Sequence, residues 1–353
     1  MWTRGNQILA GILALQVVIA IVVFWPRGTV SGSPAAPLLA DFKTDEVVGL
    51  TITDRDGNTV ELAKNGQDWV LPQREQYPAV STRVTDLLTK LARIRTNRLI
   101  AQTEGSHRAL QVAADDFNRK IELKMKDGST RTVYLGTSGG GGATHVRADA
   151  QKEVYLTSEV LSWDVNATES NWVETLYFTV PQTATLSITL QNAQGTFEFE
   201  RPTGEGEWTM KGLAADEKLE QNSVQDLLFQ VTSVRMIGPL GRSEREEYGL
   251  AKPQAVVTLR TKEGEQEKRY TLTLGAKLEE ARKASGESGE EKQYYYVLRS
   301  SESPYFVRVS EYLGNTLANK QRADFLAAPP TPTPTPTATA LPSGAEQPLT
   351  PPD

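Results

Sequence analysis

Two histidines, two adjacent carboxylate pairs and one glycine run are the residues of this 353-residue chain that invite a chemical reading. His107 and His145 are the only histidines, with no His-x-x-His or His-Glu-x-x-His spacing, so they cannot build a poly-His metal site. Either has the side chain of a general base. But His145 sits in a strand pattern and His107 in a polar loop, and both read as ordinary surface histidines. Asp115-Asp116 and Glu246-Glu247 are pairs by adjacency alone. Sequence neighbours do not share a face, whereas paired acid/base work needs convergent carboxylates.

The run Ser138-Gly139-Gly140-Gly141-Gly142 resembles a phosphate loop only in composition. No Lys-Ser/Thr follows and no helix begins there, so no helix N-terminus faces a phosphate. It joins two strand-like segments and reads as a mobile turn. No Gly-x-Ser-x-Gly elbow occurs. The absence of cysteine removes disulfides, thiolate zinc, iron–sulfur clusters and Cys nucleophiles together. Asn166-Ala167-Thr168 fits the glycosylation triplet, a short pattern that arises by chance. No catalytic, cofactor-binding or metal-ligating residue is assigned, no cofactor is expected, and the chain reads as non-enzymatic. Trp69 and Trp208 remain. They are read as core residues, with a stacking platform for sugars or bases as the alternative.

The composition is globular, 39% hydrophobic and 23% charged. A formal net charge of −6 argues against nucleic acid as partner. Ile8 to Phe24 is an apolar run with Gln16 its one strongly polar residue. With Trp25 it approaches the roughly 20 residues that cross a bilayer. As a helix it places Trp2 and Trp25 about 34 Å apart, one at each headgroup layer. Pro26 stops it. The alternative is a signal peptide, but Phe24-Trp25-Pro26-Arg27 is a poor cleavage site. The short amino terminus places the bulk of the chain outside the cytoplasm, as a single-pass protein of the cell membrane. The expected order is a short cytoplasmic segment 1–7, a signal anchor 8–25, a flexible stem 26–43, a first unit 44–180 and a second unit 181–327. A Pro/Thr-rich tail, 328–353, follows as disordered or polyproline II chain.

The two units come from an internal repeat. Val84 to Arg95 (VTDLLTKLARIR) parallels Val224 to Arg235 (VQDLLFQVTSVR), each with an amphipathic helical stripe. Asn222 with Gln225 is a capping-box-like start. Alternating strands flank each helix: Val48–Ile52 answers Thr185–Thr189, and Asp68-Trp69 answers Glu207-Trp208. Downstream, Ile121–Met125 with Thr132–Gly136 answers Val256–Leu259 with Tyr270–Gly275. Short helices are expected at Ser158–Leu161 and Ser310–Leu313. The second copy is longer by a solvated loop, Ala276 to Lys292, rich in Glu, Lys, Gly and Ser. The fold class is α+β: an N-terminal transmembrane helix, then two tandem repeats of antiparallel sheet, each with one principal amphipathic helix.

The ordered set Glu207-Trp208, Val224-x-Asp226-Leu227-Leu228, Tyr248-Gly249-Leu250-x-x-Pro253, Leu274-Gly275 and Tyr296-Val297, behind an amino-terminal anchor, resembles the bacterial domain of unknown function 4340 family. The resemblance covers nearly all of residues 44–327, taken as two copies. The first copy departs from it, with Arg108-Ala109-Leu110 for Tyr248-Gly249-Leu250 and Ala113 for Pro253. The resemblance implies a membrane-anchored envelope protein, of a kind that accompanies ABC-type export and gliding systems, and it implies no catalytic residues. The expected function is an extracytoplasmic interaction module, a non-catalytic accessory of an envelope or ABC-type transport complex. Its partners are the lipid bilayer, through the N-terminal helix, and envelope proteins such as an ABC transporter. The alternative is a ligand-binding protein for cell-wall glycan or another polymer, using a cleft between the repeats. An unrecognised hydrolase is a third reading.

Overall fold

The computed structural model describes residues 35–149, 151–283 and 290–328, with isolated positions at Leu13 and Gln16. The expected anchor 8–25 apart from those two positions, the first half of the stem and nearly all of the Pro/Thr tail lie outside the described residues. Among the described residues no helix is long and apolar enough to cross a membrane.

The chain is mixed α+β, built on two antiparallel sheets with few helices. The first unit supplies β1 (Val47–Asp54), β2 (Thr59–Asn65), β3 (Asp68–Leu71), β4 (Tyr77–Pro78), helix α1 (Ser81–Arg93), β5 (Leu99–Ala101) and helix α2 (Glu104–Ala109). It continues with β6 (Arg119–Met125), β7 (Thr130–Gly140), β8 (Ala143–Ala148) and β9 (Val154–Thr157). Their order across the sheet is β4-β3-β2-β1-β6-β7-β8-β9-β5. The second unit supplies β10 (Leu176–Thr179), β11 (Thr185–Asn192), β12 (Gly195–Glu200), β13 (Thr209–Met210), helix α3 (Gln221–Thr232) and β14 (Ser233–Gly241). Strand β10 precedes the expected boundary at residue 181 yet joins the second sheet through β14. It closes with β15 (Ala255–Glu263), β16 (Gln266–Lys283), β17 (Glu290–Ser300), β18 (Phe306–Ser310) and helix α4 (Glu311–Asn319). From the far edge its order is β13-β12-β11-β15-β16-β17-β18-β14-β10.

Apart from β4 and β10, the two sheets share one strand order. They also share a register break. The β1–β6 ladder shifts between Val47 and Gly49, and the β11–β15 ladder between Thr185 and Ser187. Such bulges re-aim a strand at a fixed place. Each principal helix buries the stripe its sequence carries, Val84, Leu87, Leu88 and Leu91 in α1 and Val224, Leu227, Leu228 and Val231 in α3. One continuous core cluster runs through both units. At roughly 1.5–3 kcal/mol for each fully buried aliphatic or aromatic side chain, that burial is the main favourable term.

Several local expectations are corrected. The helical stripe overran its element: α3 ends at Thr232, and Val234 and Arg235 belong to strand β14. The α3 cap is the Glu220 side chain, which accepts from the Asn222 amide at 3.2 Å, while Gln225 Nε2 donates to Gln182 Oε1. No helix forms at Ser158–Leu161; a single 3-10 turn follows at Ser162–Asp164. Its counterpart is the full helix α4, capped by Ser310 Oγ accepting from the Leu313 amide.

The expected solvated loop Ala276–Lys292 is largely β-hairpin, paired from Lys277↔Tyr296 to Lys283↔Glu290. Its charges hold the strands across the ladder: Lys292 Nζ lies 2.8 Å from Glu279 Oε1, and Lys277 Nζ 4.8 Å from the Tyr294 ring centroid. The glycine run is a tight hairpin connection. Gly140 pairs with Ala143, and Gly141 and Gly142 have φ of 57° and 72°, the two-residue turn that favours glycine.

Candidate functional site

Both histidines are buried, against expectation. His107 lies in the last turn of helix α2 and its Nε2 lies 2.8 Å from the Lys152 carbonyl. His145 Nδ1 lies 2.9 Å from the Thr137 carbonyl and 3.0 Å from Thr137 Oγ1. Each imidazole is therefore a bond between a strand or helix and a neighbouring segment. The surface reading failed because a polar sequence context hid the carbonyls waiting opposite. The Asp115 carboxylate pairs with Arg108, and Asp116 offers its backbone carbonyl to the Ala113 amide at 2.9 Å.

Glu246 and Glu247 share a 3-10 turn. With Arg245 they border one depression of about 580 Å³. Adjacency thus brings both carboxylates to one surface, where Arg245 Nη1 sits 3.4 Å from Glu247. Among the described residues no three His, Asp or Glu side chains are grouped so as to hold a metal ion. Asn166 Oδ1 accepts from the Thr168 amide at 2.9 Å, so the triplet forms an Asx turn.

Trp69 and Trp208 are core residues, 2% and 4% exposed. Each occupies the same joint between strand and helix. The Trp69 amide donates to Ser81 Oγ, and the Trp208 amide to Gln221 Oε1. Ser81 and Gln221 are the first residues of α1 and α3. Beside Trp208, the Arg201 guanidinium lies 4.5 Å from the indole centroid, with Nε donating to the Thr185 carbonyl at 2.8 Å and Nη2 to the Gln182 carbonyl. Burial lowers the pKa of Arg201. This corner borders a cavity of about 480 Å³, into which α3 begins.

The two units meet at a packed joint. Tyr77 and Tyr305 stack edge to face at 4.6 Å, and Tyr305 OH donates to the Gln76 carbonyl at 3.0 Å. Glu75 and Gln76 hold left-handed φ of 54° and 64°, which costs a non-glycine residue about 1 kcal/mol or more. That conformation sets the Glu75 carboxylate where the amides of Arg242 and Ser243 donate to Oε2, at 2.7 and 2.9 Å. Hydrogen bonds from Ser243, then Arg242, hold the Glu75 carboxyl below the usual carboxylate range. Burial pushes the Tyr77 phenol up to about 12. Alongside, Glu169 takes Arg74 Nε at 2.6 Å and Arg308 Nη2 at 3.3 Å, and Arg308 also reaches Glu280 at 2.6 Å. The joint is a lattice of charge-assisted bonds.

The polar groups at this joint are largely consumed by each other. The large apolar side chains left facing solvent lie elsewhere: Trp163 after β9, Phe229 on α3, Tyr312 on α4, and Leu99 and Ile100 on β5. Sequence reasoning missed these, since an exposed aromatic and a buried one look alike until its element is placed.

The motif in the second unit also gains a mechanical account. Gly249 has φ 64°, and the Tyr248 carbonyl presses on Gly275. In the first unit Gln111 has φ 54°, and the Leu110 carbonyl presses on Gly136. The equivalent of Tyr248-Gly249-Leu250 is therefore Leu110-Gln111-Val112, two residues further on than Arg108-Ala109-Leu110. A family model for a domain of unknown function, DUF4340, matches residues 69–253, a little over half of the chain. That single span runs from β3 of the first unit to the segment before β15 of the second. No curated protein and no solved structure matches the chain.

Proposed function

We propose, from the premise that the chain belongs to the DUF4340 family, that it works as a membrane-anchored interaction module. It is a non-catalytic accessory of an envelope or ABC-type transport complex, with residues 8–25 as its anchor and the two units outside the cytoplasm. One observation carries the reading: the joint and the histidines spend their polar groups inside the fold, while Trp163, Phe229 and Tyr312 stay 63–73% exposed on both units. Rigid platforms with exposed aromatic side chains are suited to docking, since aromatic anchors dominate protein interfaces. The anchor would raise the effective concentration beside a membrane partner without any further contact.

The test is crosslinking and affinity purification of the full chain from native membranes. The same preparation is run with W163A, F229A and Y312A together. The docking reading expects one set of envelope proteins to be enriched by the parent chain and lost with the triple variant. Unchanged enrichment refutes it. In complementation, D116A and E247A should retain function; loss of function in either, with the protein folded and in the membrane, would point to an enzyme.

A polymer-binding role is the second reading. It is favoured by the cavity of about 480 Å³ beside Arg201 and Trp208. It expects soluble glycan fragments to protect Gln225 and its neighbours from hydrogen exchange.

A further inference from the structure

We infer that the strip Arg93–Ala101, at the free edge of the first sheet, lies on the bilayer that holds the chain's own N-terminal segment, with its arginines on anionic lipid headgroups. The inference rests on the anchor reading above.

The strip is unusual on three counts. Strand β5 closes one edge of its sheet and, among the described residues, is paired on one side only, with β9. An unpaired edge that carries large apolar side chains is normally covered. Yet Leu99 and Ile100 are 47% and 48% exposed. Second, Arg93, Arg95 and Arg98 are exposed, and none has an ion pair among the described residues. No acidic residue occurs from Arg93 through Thr103, in a chain of net charge −6. The next acid, Glu104, already faces Lys152 at 3.3 Å.

The third count is where the described chain begins. The Thr96 amide donates to the Ala36 carbonyl at 2.9 Å, the Leu38 amide donates to the Ile94 carbonyl at 2.9 Å, and Pro37 bridges Arg95. The segment that comes from the apolar run is thus bound directly to the strip. Only residues 26–34 separate Trp25 from Ala35. Nine residues span at most about 30 Å. A strip tethered that closely, basic at its rim and apolar at its edge, has the character of an interfacial surface: apolar groups enter the headgroup boundary and cations meet anionic lipid. Protein docking elsewhere on the molecule needs no such proximity.

The chain has no cysteine, so one introduced thiol carries a label alone. Full-length I100C and F229C, each labelled with an environment-sensitive fluorophore, are reconstituted in vesicles of zwitterionic lipid with and without anionic lipid. Brominated lipid serves as the quencher. The I100C label should shift to the blue and be quenched, more so with anionic lipid, while the F229C label stays aqueous. The attraction of a basic residue to an anionic surface is worth roughly fivefold in the equilibrium. R93Q/R95Q/R98Q together should therefore lower the immersed fraction by about a hundredfold in the equilibrium constant.

If the chain floats with vesicles but the I100C label stays aqueous, the strip inference fails and the anchor reading stands. A chain that fails to float overturns both. Equal quenching at both positions means general adsorption and overturns the strip. A blue shift without lipid quenching means that a second copy pairs on the edge, which overturns it too. Quenching indifferent to anionic lipid overturns the role of the arginines.

Discussion

Substituting Gly275 by alanine tests the contact that couples the family motif across the second unit. A Cβ there would enter the van der Waals shell of the Tyr248 carbonyl oxygen and sit 3.1 Å from Leu250 Cδ2. The obstacle is backbone, and Tyr248 is 1% exposed, so it has nowhere to retreat. The loop and the strand would have to part by roughly 1 Å in a close-packed interior. Overpacking of this kind costs about 3 kcal/mol, near the upper end of its usual range. At an unfolding entropy of roughly 2.1 cal/mol/K per residue, the folded part of this chain loses about 1.5–2 °C per kcal/mol, so G275A should melt about 5 °C below the parent.

G136A should behave alike, because its Cβ meets the Leu110 carbonyl and comes within 2.7 Å of Val112 Cγ1. The control is G105A. Gly105 lies in helix α2, where a Cβ meets nothing within 4 Å. It should be neutral or stabilising by about 0.5–1 kcal/mol. The assay is thermal unfolding of the full chain in detergent, followed by circular dichroism. If G275A and G136A melt within a degree of the parent, the close approach is not there and the corrected equivalence of the two units falls with it.

W69A and W208A should each cost about 3–5 kcal/mol, the range for buried large-to-small changes; an unchanged melt for both would return these residues to the surface. Y305F removes the bond to the Gln76 carbonyl and the one the phenol accepts from Arg242 Nη2, and should cost about 2 kcal/mol in denaturant melts, with no change in m-value; a fully native midpoint would show both bonds to be idle. For Glu75, the folded carboxyl lies below its unfolded value. Its contribution is complete above about pH 4.3, the ordinary glutamate pKa, and is lost as the pH falls through the folded value. E75Q should therefore melt lower than the parent at neutral pH and converge with it in acid. A gap that stays constant with pH would remove the linkage.

The two principal helices were legible because their apolar stripes are strong: Leu87-Leu88 and Leu227-Leu228 face the core as the period requires. The stripe erred at Val234, since an apolar residue one turn past a helix serves equally as the first inward residue of a strand. Matched strands and turns predicted two like sets of elements along the chain but no order across a sheet; the structure supplied that order, with β5 and β14 as sheet neighbours of β9 and β18. The joint was not legible. Glu75 and Gln76 take φ values that their residue types disfavour, and their partners Arg242 and Tyr305 lie far along the chain. The long hairpin was hidden by its charges, because Lys277, Glu279 and Lys292 read as solvated loop until the ladder brings Lys292 diagonally across from Glu279 and Lys277 beside the Tyr294 ring. Burial of His107 and His145 depended on single carbonyls, Lys152 and Thr137, that no local pattern marks.

The strand order has a kinetic consequence. In each sheet one group of neighbours, β1 to β4 or β11 to β13, is joined by short turns, and so is the run β6 to β9 or β15 to β18. A single ladder welds the two groups, β1 to β6 and β11 to β15, across the whole helix-bearing segment. Local hairpins close within microseconds, whereas distant pairing must first meet the entropy of the intervening loop. Each sheet should therefore assemble as two preformed ribbons whose seam closes last. Under load or in denaturant the same seam, marked in both units by its shared bulge, is where the sheet would part first.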